Sequence, residues 1–203
     1  MASAKEEILA RIRAVSRPEP SPVPRDYEQT RAVVDPVGLF VERVAHYKAT
    51  VHRVDTEGLS TRIRTCLTER GVETMVVPVD LPPGWRVDGV RWLADDPPLE
   101  LSEVDAVDGV LTGCAVAIAE TGTIVLDAGV AQGRRMLTLV PDYHLCVVRA
   151  EQIEVSVPEA LRRLDPERPL TFVSGPSATS DIELDRVEGV HGPRTLEVLV
   201  VDD

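Results

Sequence analysis

Apolar residues recur first at helical spacing along this chain and later in short strand-like runs. Ile8, Leu9, Ile12 and Val15 share one helical face, and Ser3 and Glu6 have capping-box spacing, so residues 4–15 read as an amphipathic helix. Prolines at 18, 20, 22 and 24 remove amide donors and favour extended backbone, which makes 16–25 a linker. The arm is expected to dock on its own domain, with another subunit as the alternative. Asp35-Pro36 pairs a cap with proline at the first helical position and opens a helix through Val37, Phe40, Val41, Val44 and Tyr47. Val51 to Val54 reads as a strand. Asp55 caps a helix carrying Leu59, Ile63 and Leu67, Gly71 stops it, and Thr74 to Val77 is the next strand. That rhythm predicts an α/β fold with a mixed, mostly parallel central sheet flanked by helices.

Residues 78–101 are rich in Pro, Gly and Asp and read as loops around one short strand, with Trp85 and Trp92 as packed anchors. Apolar runs then dominate at 107–111, 115–119, 123–127, 136–140 and 145–149, and their short separations suggest antiparallel hairpins that extend the sheet. Ser156 and Glu159 form a second capping-box pattern ahead of Leu161 and Leu164, and 170–174 and 196–201 complete the strands. The chain thus divides into an arm, 1–30, and one α/β domain, 31–203.

Charge narrows the function. A net charge of -12 and a pI near 4.8 leave no basic face for phosphate neutralisation, and aromatics at 3% leave few rings for base stacking, so a nucleic-acid partner is excluded. Lys5 and Lys48 are the only lysines, which disfavours Schiff-base catalysis and leaves an anion to meet arginine or backbone amides. No apolar run approaches the roughly 20 residues of a membrane span, and the N-terminus lacks a signal-peptide core, so a cytoplasmic protein is expected. Cys66, Cys114 and Cys146 lie far apart without a CxxC pair, as reduced thiols would. Three cysteines cannot supply the four thiolates of an iron-sulfur cluster.

Two turn-rich segments carry the candidate chemistry. In Ala119-Glu120-Thr121-Gly122-Thr123, Glu120 stands at a strand end, where burial would suit it to acid, base or nucleophile work; Thr121, Thr123 and the Gly122 amide could bind an anion. A surface turn with a solvated Glu120 is the alternative. The second segment, Ser174-Gly175-Pro176-Ser177-Ala178-Thr179-Ser180-Asp181-Ile182-Glu183, follows a strand and carries capping-box spacing at Ser180 and Glu183, which makes a helix-start anion site or a plain cap. Gly175, Ser177, Thr179 and Asp181 are its candidate contacts. It lacks P-loop spacing. His191, between glycines, could contact a carboxylate together with Arg194, or serve the turn structurally. Asp142, His144 and Cys146 alternate on one strand face, but strand rise separates neighbours by roughly 7 Å, so no metal site is expected. Gly133-Arg134-Arg135 reads as a solvated basic turn or a cationic lip.

Taken together, the 119–123 turn, Pro141-Asp142-Tyr143-His144, the 174–183 segment and Gly189-Val190-His191-Gly192-Pro193 resemble the LUD-domain family, within it the lactate utilization protein C (LutC/YkgG) group, over roughly 30–203. The resemblance implies a fold like the NagB/RpiA/CoA-transferase group. It also implies action beside iron-sulfur partner proteins in oxidising L-lactate to pyruvate, with the clusters in the partners and no cofactor on this chain. By analogy with the transferases, Glu120 would be the nucleophile. Three readings follow: a non-redox subunit whose polar cleft binds a small acid, a phosphorylated ligand or a partner's loop; a CoA-transferase-like or sugar-phosphate-isomerase-like enzyme using Glu120; or a ligand-free assembly adaptor. Oligomeric state is left open.

Overall fold

The computed structural model describes residues 4–15, 22–24, 26–176 and 192–202. In chain order the elements are α1 Ala4–Ala14, α2 Pro36–His46, β1 Thr50–Asp55, α3 Leu59–Glu69, β2 Thr74–Val77, β3 Arg91–Ala94, α4 Leu101–Asp105 and β4 Gly109–Thr112. They continue as β5 Val116–Ile118, β6 Thr123–Leu126, α5 Arg135–Leu139, β7 Tyr143–Arg149, β8 Ile153–Glu154, α6 Val157–Arg163, β9 Thr171–Val173 and β10 Thr195–Asp202.

Local chemistry explains several boundaries. The Asp35 carboxylate accepts the Gly38 amide at 2.8 Å, and Pro36 opens α2. Glu159 reaches back to the Ser156 amide at 2.9 Å and starts α6. Gly71 follows α3 at φ 65°, a conformation that glycine adopts without a Cβ penalty. Trp85 is buried in a 3-10 turn, and the Trp92 indole donates to the Val87 carbonyl at 2.9 Å, so both tryptophans anchor the 78–101 loops.

Six strands form the central sheet in the order β1-β10-β7-β4-β2-β3, and every neighbouring pair is parallel. Four shorter strands form a second sheet, β8-β5-β6-β9. Its inner side chains, Ala117, Ala119, Ile124 and Leu126, pack with Phe40 and Val44 of α2 against Cys146, Val148, Val198 and Val200 of the central sheet. α3 covers the opposite central face through Leu59, Ile63 and Leu67. α6 caps the outer face of the second sheet at Ala160, beside Val116, Ile118 and Val125. Full burial of a side chain such as Phe40 contributes about 1.5–3 kcal/mol, so these interfaces hold the layers together.

Three expectations are corrected. Residues 136–140 belong mainly to helix α5, because Leu137 is fully buried with Met136 and Val140 against Val76, Val104 and Val110; a five-residue apolar run does not distinguish strand from buried helix. The hairpins do not extend the central sheet: β5 and β6 pair antiparallel in the separate sheet, while β7 lies parallel between β4 and β10. Finally, α1 shows no packed face among the described residues. It buries none of its residues, and Ile8, Ile12 and Val15 are exposed.

After β2 the chain runs outward to β3, then crosses back past β2 to β4. The carboxyl ends of β2 and β4 therefore mark a topological switch point, where open α/β sheets leave a crevice.

Candidate functional site

The two sequence-predicted segments meet. Thr121 Oγ1 lies 2.7 Å from Thr123 Oγ1, which lies 2.8 Å from Ser174 Oγ, a hydroxyl chain joining the β5–β6 turn to the end of β9. Both glycine turns press on the C-terminal half of α2. Gly122 has φ 60°, and a Cβ there would sit 2.7 Å from the Arg43 carbonyl carbon; Gly175 has φ 75°, and a Cβ there would sit 2.6 Å from the Tyr47 carbonyl oxygen. The Gly122 amide donates to the Ala119 carbonyl at 3.4 Å, closing the turn.

Glu120 faces away from that junction. Its carboxylate pairs with Arg31 and its side chain is 41% exposed, so of the two readings the surface turn holds, with Glu120 in an ion pair and not a buried acid. Ser177, Thr179, Asp181 and His191, with the capping pair Ser180 and Glu183, lie outside the described residues. Arg194 makes a two-pronged pair with Asp142 at 2.7 and 2.9 Å, both side chains well exposed at the entry to β10.

Beside the junction, at the amino ends of β7 and β10, a cavity of about 180 Å³ is walled by Leu139, His144, Phe172, Ser174, Gly175 and Leu196. His144 is buried. Its Nε2 lies 2.8 Å from Thr112 Oγ1, and its Nδ1 has no hydrogen-bond partner among the described residues. Cys146 is buried further along the strand, whereas Asp142 precedes it and faces outward, so the three do not form a ligand set.

A buried carboxylate, Glu197 of β10, sits on the α3 face at the same end of the sheet. It accepts from Arg70 Nε at 2.7 Å and from the Tyr143 hydroxyl at 2.8 Å, with His52 Nε2 2.7 Å away. Burial alone would push this carboxyl up, but the hydrogen bonds from Arg70, His52 and Tyr143 together outweigh it and hold the group below the usual carboxylate range. Burial, followed by the charge of Glu197, pushes the nearby Cys66 thiol up to about 12. His52, Cys66 and Glu197 are close enough to hold a metal ion. The Arg70 cation and the Tyr143 proton already occupy the carboxylate, however, and Cys66 holds its proton, so the donor set is satisfied as a structural network.

At the opposite, carboxyl edge, by the switch point, lies a cavity of about 430 Å³. Trp85 and Val147 form an apolar wall; Arg149, Arg163 and Arg168 bring positive charge, and Asp127 is the one carboxylate in its lining. Asp127 is clamped by Gln132, which donates to it at 2.8 Å and accepts the Asp127 amide at 2.7 Å. Arg168 pairs with Asp127 at 3.0 Å and Arg163 with Glu154 at 2.9 Å. The loop 127–133 holds Ala128 and Ala131 at φ 54° and 57°, strained for residues with a Cβ. The sequence reading missed this cavity. Its signal is a charged residue, Arg149, ending the run 145–148 of buried residues. The neighbouring basic pair, Arg134 and Arg135, is instead committed to Asp95 and to Thr171 with the Leu170 carbonyl.

The family model described as LUD domain matches residues 99–201. Lactate utilization protein C of Deinococcus radiodurans is 46% identical over 98% of this chain and 96% of its own length. An uncharacterized Neisseria meningitidis protein is 27% identical over 98% of this chain and 94% of its own, and lactate utilization protein C of Shouchella clausii is 31% identical over 55% and 52%. A crystal structure of a DUF162 family protein from D. radiodurans aligns with a TM-score of 0.73 at 39% identity, covering 87% of this chain and 99% of that one.

Proposed function

Given that this chain belongs to the LUD domain family, we propose that it acts in the cytoplasm as a non-redox subunit of a lactate utilization system. Iron-sulfur proteins would be its partners, and L-lactate would be oxidised to pyruvate on them. The observation carrying this reading is the near-full-length similarity to a protein named for lactate utilization. The donor set agrees with it: Cys66, Cys114 and Cys146 are each buried, and three thiols fall short of the four that a cluster needs. Glu120, exposed and paired with Arg31, offers no observation in favour of a transferase or isomerase reaction. The contribution of this chain is then binding: partner proteins outside and a small acid or phosphorylated ligand in a polar cleft.

The test combines genetics with isolation from the native host. Deletion is expected to abolish growth on L-lactate while leaving growth on pyruvate intact, and the tagged chain should bring down iron-sulfur proteins. Normal growth on L-lactate after deletion, with no such protein recovered, would overturn the reading.

A further inference from the structure

An arginine without a carboxylate is unexpected in a chain with 34 acidic and 22 basic residues. Arg149 is one: half-buried at the carboxyl end of β7, it makes no side-chain hydrogen bond or ion pair among the described residues. The other two arginines of the same cavity have carboxylate partners, Glu154 and Asp127. Holding a guanidinium partly out of water without a counter-charge is unfavourable, and the surrounding structure fixes it there. Val147 precedes it on the same strand face, Gln152 accepts the Arg149 amide at 2.9 Å, and Gln152 is tied in turn to the Cys114 carbonyl at 2.6 Å.

The position has a second property. The cavity opens at the switch point between β2 and β4, with Pro82 and Trp85 supplied by the segment after β2 and Gly113 to Ala115 by the segment after β4. With Arg168 paired to Asp127 and Arg163 to Glu154, Arg149 leaves an excess positive charge at the cavity within an acidic protein, and a concave wall focuses such a field on small anions. Its volume of about 430 Å³ suits a metabolite rather than a macromolecule.

We propose that this cavity binds a small organic anion, its carboxylate or phosphate head on Arg149 and its body against Trp85 and Val147. The proposal deepens the ligand side of the function above and rests on it only for the choice of two probes. A guanidinium takes either head group through two parallel N–H···O bonds, so the chemistry is shared and the probes separate the sources.

Trp85 serves as the reporter, with Trp92→Phe removing the other tryptophan. The isolated full chain is titrated separately with L-lactate, pyruvate and inorganic phosphate at constant ionic strength, chloride being the balancing ion. At least one probe should give a saturable change in Trp85 emission, and the probe that does so identifies the head group. Arg149→Gln should weaken that binding at least tenfold, whereas Arg11→Gln, exposed on α1 and paired with Glu7, should leave it unchanged. Thermal melting checks the folding of each variant. Should Arg149→Gln fail to fold, Arg149→Lys must bind more weakly than the parent, because it keeps the charge and loses the two-pronged geometry. No saturable response to any probe, or equal affinity in the folded Arg149 variant, overturns the proposal. Because no partner protein enters the measurement, a failed growth or co-purification test leaves this result standing, and the reverse.

Discussion

Replacing Glu197 by Gln keeps the shape of the side chain and removes its charge, so the buried network at the amino edge can be tested without opening a cavity. Three groups converge on the carboxylate at 2.7–2.8 Å: Arg70, His52 and Tyr143. The Gln oxygen can serve some of them, but its amide nitrogen is a donor set against donors. Removing one partner of a buried ion pair costs about 3–5 kcal/mol. The Arg70 side chain is 33% exposed, which lets water recover part of that loss and places the expectation near 3 kcal/mol. For a domain of this size the melting temperature should fall by about 6–12 °C, at roughly 2–4 °C per kcal/mol. Tyr143→Phe, which deletes one hydrogen bond and leaves the ion pair, should cost about 1 kcal/mol. The pH dependence provides a second reading. The folded-state pKa of Glu197 is depressed, so its stabilisation is fully present above the ordinary carboxylate value and is lost as pH falls through the folded value. The gap between wild type and Glu197→Gln should therefore be widest near neutrality and shrink in acid, as followed by thermal melting from pH 7 to 3. A loss below about 1 kcal/mol at pH 7, or a gap that does not narrow in acid, refutes the electrostatic account.

Two further outcomes test the packing. Gly122→Ala should destabilise more than Gly71→Ala: both positions have positive φ, worth about 1–3 kcal/mol of strain each, but only at Gly122 would the new Cβ strike the α2 backbone, since at Gly71 no atom of the described residues beyond its chain neighbours lies within 4 Å. Equal losses on urea titration would remove the role assigned to that close approach. All three thiols should resist a disulfide reagent in the native protein at pH 8 and react when guanidinium is added, because each is buried and the Cys66 thiol is pushed up to about 12; rapid native labelling of any of them would contradict the packing.

The legible parts of the fold were those written in local chemistry. Asp35-Pro36, the Ser156–Glu159 box and the strand at Thr74–Val77 each depend on neighbours within a few residues, and the structure has them where the spacing put them. Residues 135–139 were not legible, because helix was decided by Val76, Val104 and Val110, distant in sequence. The separation of β5 and β6 into their own sheet depends likewise on pairing with β8 and β9, distant in sequence; the run 170–174 announces strand β9 but not its partner. Of the candidate site, the sequence singled out both turn segments one by one, and the structure joins them through Thr121, Thr123 and Ser174. The partner of Glu120 was not legible, since Arg31 lies 89 residues away in the chain.

The residues that reading overlooked, Glu197 and Arg149, share one signal: a single charge in an apolar strand run. Such a charge is costly unless partnered, so each needs an account, and the number of partners separates the two. Glu197 has three protein groups on its carboxylate and is accounted for as a fastener between β1, β7, β10 and α3. Arg149 has none among the described residues. Leu145 pairs with Glu197 in register, and Arg149 lies four residues further along β7, so strand rise places the two charges roughly 13 Å apart, too far for direct contact. Between them Val147 is buried. The amino edge is thus fixed from within, while the carboxyl edge keeps a cation whose natural complement is supplied from outside the fold.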